Sequence, residues 1–318
     1  MILVGDIGGT NARFAIAIEA AGKKIVISDY EKFKSRDFPD FSDLVQSFID
    51  SIDHKPGKAI LAVAGPVQSG KVGFTNQHWE IDSAVLEQTC KIPSVKLIND
   101  FEAMARSVPE ISPENFVEIN TGTPVAGAPI LVAGPGTGFG ACTLINHDGK
   151  WTAMASEGGH SLYAPQSDLE KEIVAILGRN GERVSIERIC AGKGLKDLTR
   201  AVCELQGCSY TDLSPHEMVE RSRAGDEPFQ TVSMVRANAI MSGLANMALV
   251  TGARGGVVVA GGVAKHLVNF LTTDEALSSF TTVWADNDYL NNIPIRLLID
   301  GTAPLVGAAA FGFFDQGQ

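Results

Sequence analysis

The sequence predicts a two-domain α/β protein in which one structural unit occurs twice, with a ligand cleft between the domains. Three observations carry this expectation. The chain has 318 residues, more than one hydrophobic core usually serves. Short apolar runs alternate with segments of helical periodicity, the grammar of a sheet covered by helices. A strand, a glycine-rich tip bearing a threonine and a second strand occur at the N-terminus and again about 130 residues later.

Composition excludes several classes. A net charge of -11 works against binding a polyanion through a broad basic surface, so nucleic acid is not an expected partner. No apolar run is long enough to span a bilayer. Met1 to Asp6 enters a strand without a charged flank or small-residue cleavage site, so a soluble cytoplasmic protein with no membrane partner is expected. The five cysteines (Cys90, Cys142, Cys190, Cys203, Cys208) are scattered without a C-x-x-C pair and read as reduced thiols, and the six dispersed histidines assemble no structural zinc site.

Met1 to Asp6 is an apolar strand; Gly8-Gly9 turns it into a second strand at Asn11 to Glu19. The tip carries Asp6, Gly8, Gly9, Thr10 and Asn11. Bare glycines let backbone N–H groups approach an anion, Thr10 and Asn11 add donors, and Asp6 can hold a hydrated magnesium ion beside phosphates. An ordinary glycine hairpin would show the same residues. Lys24 to Glu31 reads as a third strand, Phe41 to Ile52 as an amphipathic helix capped by Asp40, and Lys58 to Ala64 as a fourth strand. In the loop-rich insertion that follows, Asn76 and Trp79 could border a ligand, but Trp79 suits the core better; a helix over Ser83 to Thr89 comes next.

Val95 to Phe101, V-K-L-I-N-D-F, is a short buried strand that presents Asn99 and Asp100 where it stops. Ligands of open α/β sheets collect beyond the carboxyl ends of strands, so Asp100 is placed to take a proton from a bound hydroxyl while Asn99 hydrogen-bonds the same ligand. Asp100 also suits the cap of a helix beginning at Phe101. The first domain closes near Val108.

From Ala128 the grammar restarts in P-I-L-V-A-G-P-G-T-G-F-G-A-C-T-L-I, whose tip offers Gly136, Thr137 and Gly138 to an anion. No aspartate matches Asp6 there, so the metal role belongs to the first tip. A strand at Trp151 to Ser156 leads into Glu157-Gly158-Gly159-His160, a turn able to show Glu157 and His160 to a polyhydroxyl ligand or simply to solvent. Ser167 to Asn180 is helical. Ser185 caps the helix carrying Glu187, a carboxylate that favours the positive helix end or serves a sugar.

Ser214 to Ala224 and Pro228 to Val250 are helices, Ala- and Met-rich, whose exposed parts offer a possible homodimer face. Gly255 to Ala260 is a strand running into Gly261-Gly262, where a nucleotide's base or ribose can lie against bare backbone. Pro294 to Leu298 is the last strand. Ala303 to Phe314 is the last helix, expected to return to the first domain.

In order, the chain holds D-x-G-G-T-N-A-R at Asp6 to Arg13, L-I-N-D-F at Leu97 to Phe101, G-x-G-T-G-x-G at Gly134 to Gly140, E-G-G-H at Glu157 to His160, S-x-E-R at Ser185 to Arg188 and A-G-G-V at Ala260 to Val263. Over nearly its whole length this set resembles the bacterial glucokinases of the hexokinase, actin and Hsp70 superfamily. The resemblance implies an actin-like ATPase fold (a duplicated ribonuclease H-like unit), with a small domain over 1–108 completed by a C-terminal helix within 301–318, and a large domain over 109–300. It implies ATP-dependent phosphorylation of D-glucose to glucose 6-phosphate, the first step of glycolysis. Asn99, Asp100, Glu157, His160 and Glu187 would contact the sugar, with Asp100 as base; ATP and Mg2+ would lie at the two tips and at Gly261 and Gly262. Another hexose kinase, for mannose or fructose, and a non-catalytic sugar or nucleotide sensor are the alternatives. The chain departs from the ROK sugar kinases and repressors: His160 is followed by Ser161-Leu162-Tyr163 with no cysteine-rich zinc motif, and no helix-turn-helix precedes the first strand.

Overall fold

The computed structural model describes residues 1–73, 79–283 and 288–315; Asn76 lies outside the described residues. The chain divides into two compact units. The first comprises Met1–Pro113, His147–Ala155 and Asp300–Gln318, and the second Glu114–Asn146 and Ser156–Ile299. The first unit runs past Val108 to Pro113, and it takes in the far end of a hairpin, 147–155, which linear order gives no means to foresee.

In the first unit, β1 (Ile2–Ile7), β2 (Asn11–Ala20), β3 (Lys24–Lys34) and β4 (Ala59–Val63) precede a small ribbon of β5 (Lys71–Gly73) and β6 (Glu80–Asp82), and β7 (Val95–Asn99) follows. The main sheet has the order β3-β2-β1-β4-β7. β1 and β2, and β2 and β3, are antiparallel hairpin neighbours, whereas β4 runs parallel to both β1 and β7. Ala-Ile-Leu-Ala-Val of β4 is buried throughout, as a central strand covered on both faces must be.

Side-chain alternation along β1 divides the core in two. Leu3 and Ile7 join Phe14, Leu61 and the helix Phe41–Ser51, with Phe14 stacked on Phe48 at 5.5 Å. Ile2 and Val4 join Ile60, Ala62, Ile98 and the helix Ala303–Phe314 on the opposite face. Trp79 is core: it is buried, edge-on to Phe41 at 5.2 Å, and donates from Nε1 to the Phe38 carbonyl at 3.0 Å.

The helix Ala303–Phe314 crosses the helix Asp100–Ser107 at Gly307. A Cβ there would overlap the carbonyl oxygen of Ala103 and lie 2.6 Å from its carbonyl carbon. Both obstacles are backbone, which cannot rotate aside. Gly307→Ala is expected to cost about 1–3 kcal/mol, read as a shift in the urea midpoint at constant slope.

A second sheet repeats the plan with β8 (Phe116–Asn120), β9 (Ile130–Pro135), β10 (Phe139–His147), β11 (Lys150–Ser156), β12 (Gly256–Val259) and β13 (Ile295–Leu298), in the order β11-β10-β9-β12-β13-β8. β9 and β10 form the antiparallel hairpin, and β12 runs parallel to β9 and β13, so five strands match those of the first unit one for one. β8 is an added antiparallel edge. The helix Phe229–Thr251 is buried on every side from Val235 to Ala245 and is chiefly a core element, with Val250 exposed at its end. No helix among the described residues is long and apolar enough to cross a membrane, and none of the five cysteines is in a disulfide.

Candidate active site

In the first unit, β7 delivers Asn99 to the start of the helix Asp100–Ser107. Asn99, not Asp100, is the cap. Its Oδ1 accepts from the N–H groups of Phe101 (2.9 Å) and Glu102 (3.3 Å), and Glu102 answers by accepting the Asn99 N–H at 3.3 Å. This reciprocal box satisfies the helix's first donors. The Asn99 amide also donates to the Gly65 carbonyl at 3.1 Å. Asp100 is therefore the first helical residue, half-buried, where the positive end of the helix favours a carboxylate; its Oδ1 accepts from Phe101 N–H at 2.9 Å. Asn99→Ala is expected to cost about 1 kcal/mol of stability, measured by denaturant titration.

The tip between β1 and β2 is braced from β3. The Ser35 N–H donates to the Thr10 carbonyl at 3.1 Å and the Ser35 hydroxyl to the Gly8 carbonyl at 3.1 Å. Gly8 uses its N–H on the Asn11 carbonyl at 3.0 Å, so an anion would meet donors further round the turn. Asp6 and Arg13 are register partners across the hairpin, and their side chains form an ion pair. Arg13 also donates to the Gly301 carbonyl at 2.7 Å. Burial pushes the Asp6 carboxyl up, and Arg13 opposes that rise. Among the described residues no cluster of three or more His, Cys, Asp or Glu side chains could hold a metal. Magnesium needs only one or two carboxylates when phosphates and water supply the remaining oxygens, and Asp6 would have to share its carboxylate with Arg13 to serve as one.

In the second unit, Gly136 closes its tip by donating to the Gly138 carbonyl at 2.8 Å. The backbone N–H groups of Gly192 and Lys193 donate to the carbonyls of Gly136 (3.0 Å) and Thr137 (3.4 Å). Glu187 reaches the same tip: its Oε2 accepts from Phe139 N–H at 2.8 Å, and a Cβ on Gly138 would stand 2.6 Å from that oxygen. Gly261, at φ 103°, passes so close to the Pro135 carbonyl that any Cβ would overlap it. That approach sets Gly261-Gly262 beside Gly136.

Glu157 and His160 are exposed, with Oε2 and Nε2 3.7 Å apart. Their turn is stitched to the Glu187 helix, because Ile186 N–H donates to the Ser161 carbonyl at 3.0 Å. Gly159 lies against the Phe139 carbonyl with no room for a Cβ. The E-G-G-H turn, the Glu187 helix and the second tip thus converge on Phe139. Arg13, Ser35, Gly192 and Lys193 were not assigned roles from the sequence. Only Arg13 left a signal: counting back across a hairpin closed at Gly8 and Asn11 pairs it with Asp6.

The sequence model of the family described as Glucokinase matches residues 3–313. The glucokinase of Caulobacter sp. (strain K31) is 35% identical over 309 residues, covering 96% of this chain and 93% of that protein. This chain belongs to the glucokinase family. Among solved structures, a glucokinase from an Antarctic psychrotroph matches with a TM-score of 0.85 at 32% identity, over 97% of both chains. A ROK-family glucokinase from Streptomyces griseus, solved in complex with glucose and AMPPNP, matches with a TM-score of 0.70 at 20% identity over 99% of both chains. At that identity the likeness is one of fold, the actin-like ATPase fold. The glucokinase family accounts for the matching strand orders of the two units and for the six motifs carried on them.

Proposed function

We propose that this chain transfers the γ-phosphoryl group of ATP to the 6-hydroxyl of D-glucose, with Asp100 as general base. The observation that carries the reading is Asp100 itself: a half-buried carboxylate at the carboxyl end of a parallel strand, one residue beyond the Asn99 cap. Membership of the glucokinase family supports glucose and ATP as the substrates. Phosphoryl transfer needs positioning and charge neutralisation more than covalent chemistry, which suits donor-rich turns and one basic oxygen. Asp100 accepts the hydroxyl proton as the sugar oxygen attacks phosphorus. Asn99, Glu157, His160 and Glu187 hold the other hydroxyls. Gly8, Gly9, Thr10 and Asn11 at one tip and Gly136, Thr137 and Gly138 at the other face the phosphates, and Gly261-Gly262 lie along the nucleoside. Magnesium held by Asp6 and the phosphates would neutralise charge on the transferring group. The reaction belongs in the cytoplasm as the entrance to glycolysis.

Glu157 and Glu187 should separate in kinetics. Glu157→Gln is expected to raise KM for glucose about 5- to 150-fold, the loss of roughly 1–3 kcal/mol from a charge-assisted hydrogen bond. Glu187→Gln should raise KM for both glucose and ATP, because its Oε2 also holds the second tip through Phe139. The function is tested by a coupled assay of hexose 6-phosphate formation with ATP, ADP or polyphosphate against a panel of hexoses. ATP with glucose should give the largest kcat/KM. ATP hydrolysis equal with and without sugar would reduce the chain to a sensor, and a larger kcat/KM with mannose or fructose would reassign the sugar.

A further inference from the structure

The helix Leu195–Gln206 ends in a cap built from backbone alone. Gly207 adopts the left-handed conformation at φ 67° and donates its N–H to the Glu204 carbonyl at 3.3 Å, while Cys208 donates to the Cys203 carbonyl at 2.9 Å. This pair of bonds is the Schellman arrangement, in which the side chains at the two ends of the longer bond meet. Here both ends are cysteines. Cys203 is 3% exposed, whereas Cys208 is exposed to solvent. Burial, and then a hydrogen bond with the Cys208 thiol, push the Cys203 thiol up to about 11. Disulfides bridge Cα atoms about 5.5–6 Å apart, and a six-to-one backbone bond brings two Cα atoms to that order of separation. Neither thiol belongs to the site described above.

We propose that Cys203 and Cys208 form a modification site that a hydroperoxide oxidises to an intrachain disulfide across the helix cap. The accessible Cys208, as thiolate, attacks one peroxide oxygen; the O–O bond breaks, hydroxide leaves and is protonated to water, and Cys208 becomes a sulfenic acid. The Cys203 sulfur, giving up its proton, then attacks the Cys208 sulfur and expels the oxygen as a second water. Two thiols are oxidised and one hydrogen peroxide is reduced to two waters. The solvent-facing sulfur reacts first because its buried neighbour stays protonated and shielded. Cys203 is the resolving thiol, already in place.

The test treats the full chain with hydrogen peroxide, blocks remaining thiols with iodoacetamide after denaturation, and digests with trypsin. Cys203 and Cys208 share the peptide from Ala201 to Arg221, with no other cysteine. That peptide should lose two hydrogens, escape alkylation and recover both thiols on reduction, about tenfold faster than the buried Cys90, Cys142 or Cys190 is modified. In Cys203→Ser, Cys208 should stop at a sulfenic acid trapped by dimedone. In Cys208→Ser, Cys203 should remain alkylatable. Wild-type Cys208 advancing to sulfinic acid with Cys203 still a free thiol would overturn the proposal, as would consumption of another cysteine first.

Discussion

Asp100→Asn should lower kcat about 10²- to 10⁴-fold while the affinity for glucose stays within a few-fold, as expected when a general base is removed and its shape kept. An amide at this position can still accept from Phe101 N–H and still fills the same volume, but it cannot take a proton. The helix beneath it is secured by Asn99 and Glu102, so the substitution should leave the fold intact. Steady-state kinetics paired with glucose titration by calorimetry separates the two quantities. Wild-type turnover would remove Asp100 from the base role, and lost glucose binding at unchanged stability would make it a sugar ligand only.

Gly261→Ala should be among the more damaging glycine substitutions in the second unit, costing about 3 kcal/mol. Two penalties act together: a positive φ that a side chain resists, about 1–3 kcal/mol, and overlap with the Pro135 carbonyl, of similar size. Relief requires β12 to part from the tip, so KM for ATP should rise as well. Gly262→Ala is the control. Its Cβ would meet nothing within 4 Å, so stability should hold while KM for ATP rises if the nucleoside lies against it. A Gly262→Ala protein with unchanged KM for ATP would move the nucleoside elsewhere.

Strong local signals were legible in the sequence. Asp40 before a 3.6-residue apolar period gave the helix at Phe41–Ser51, with the Asp40 carboxylate accepting from Ser42 N–H at 2.6 Å. Ser185 caps the helix it was expected to cap, and Ser167, read as the first residue of its helix, proves to be that helix's cap. The restart at Ala128 foretold a second copy of the hairpin, and the strand orders agree. Less legible were β8, a half-buried edge strand whose apolar and polar residues barely alternate, and the helix Leu195–Gln206, which opens without a side-chain cap. Asn99 and Asp100 are both good caps. Which one caps is decided by Glu102 reaching back, a geometric fact that spacing alone does not settle. Glu187 shows the same limit: its bond to Phe139, 48 residues away, is set by tertiary packing and leaves no local mark.

The helix at Ala303–Phe314 shields one face of the β1–β4 sheet, yet a ribosome makes it nearly two hundred residues after the helix it crosses at Gly307. Until then Ile2, Val4, Ile60 and Ile98 form a bare apolar surface on the nascent chain. This sheet is thus translated well before the helix that completes it, and in that interval chaperones or aggregation would compete for it.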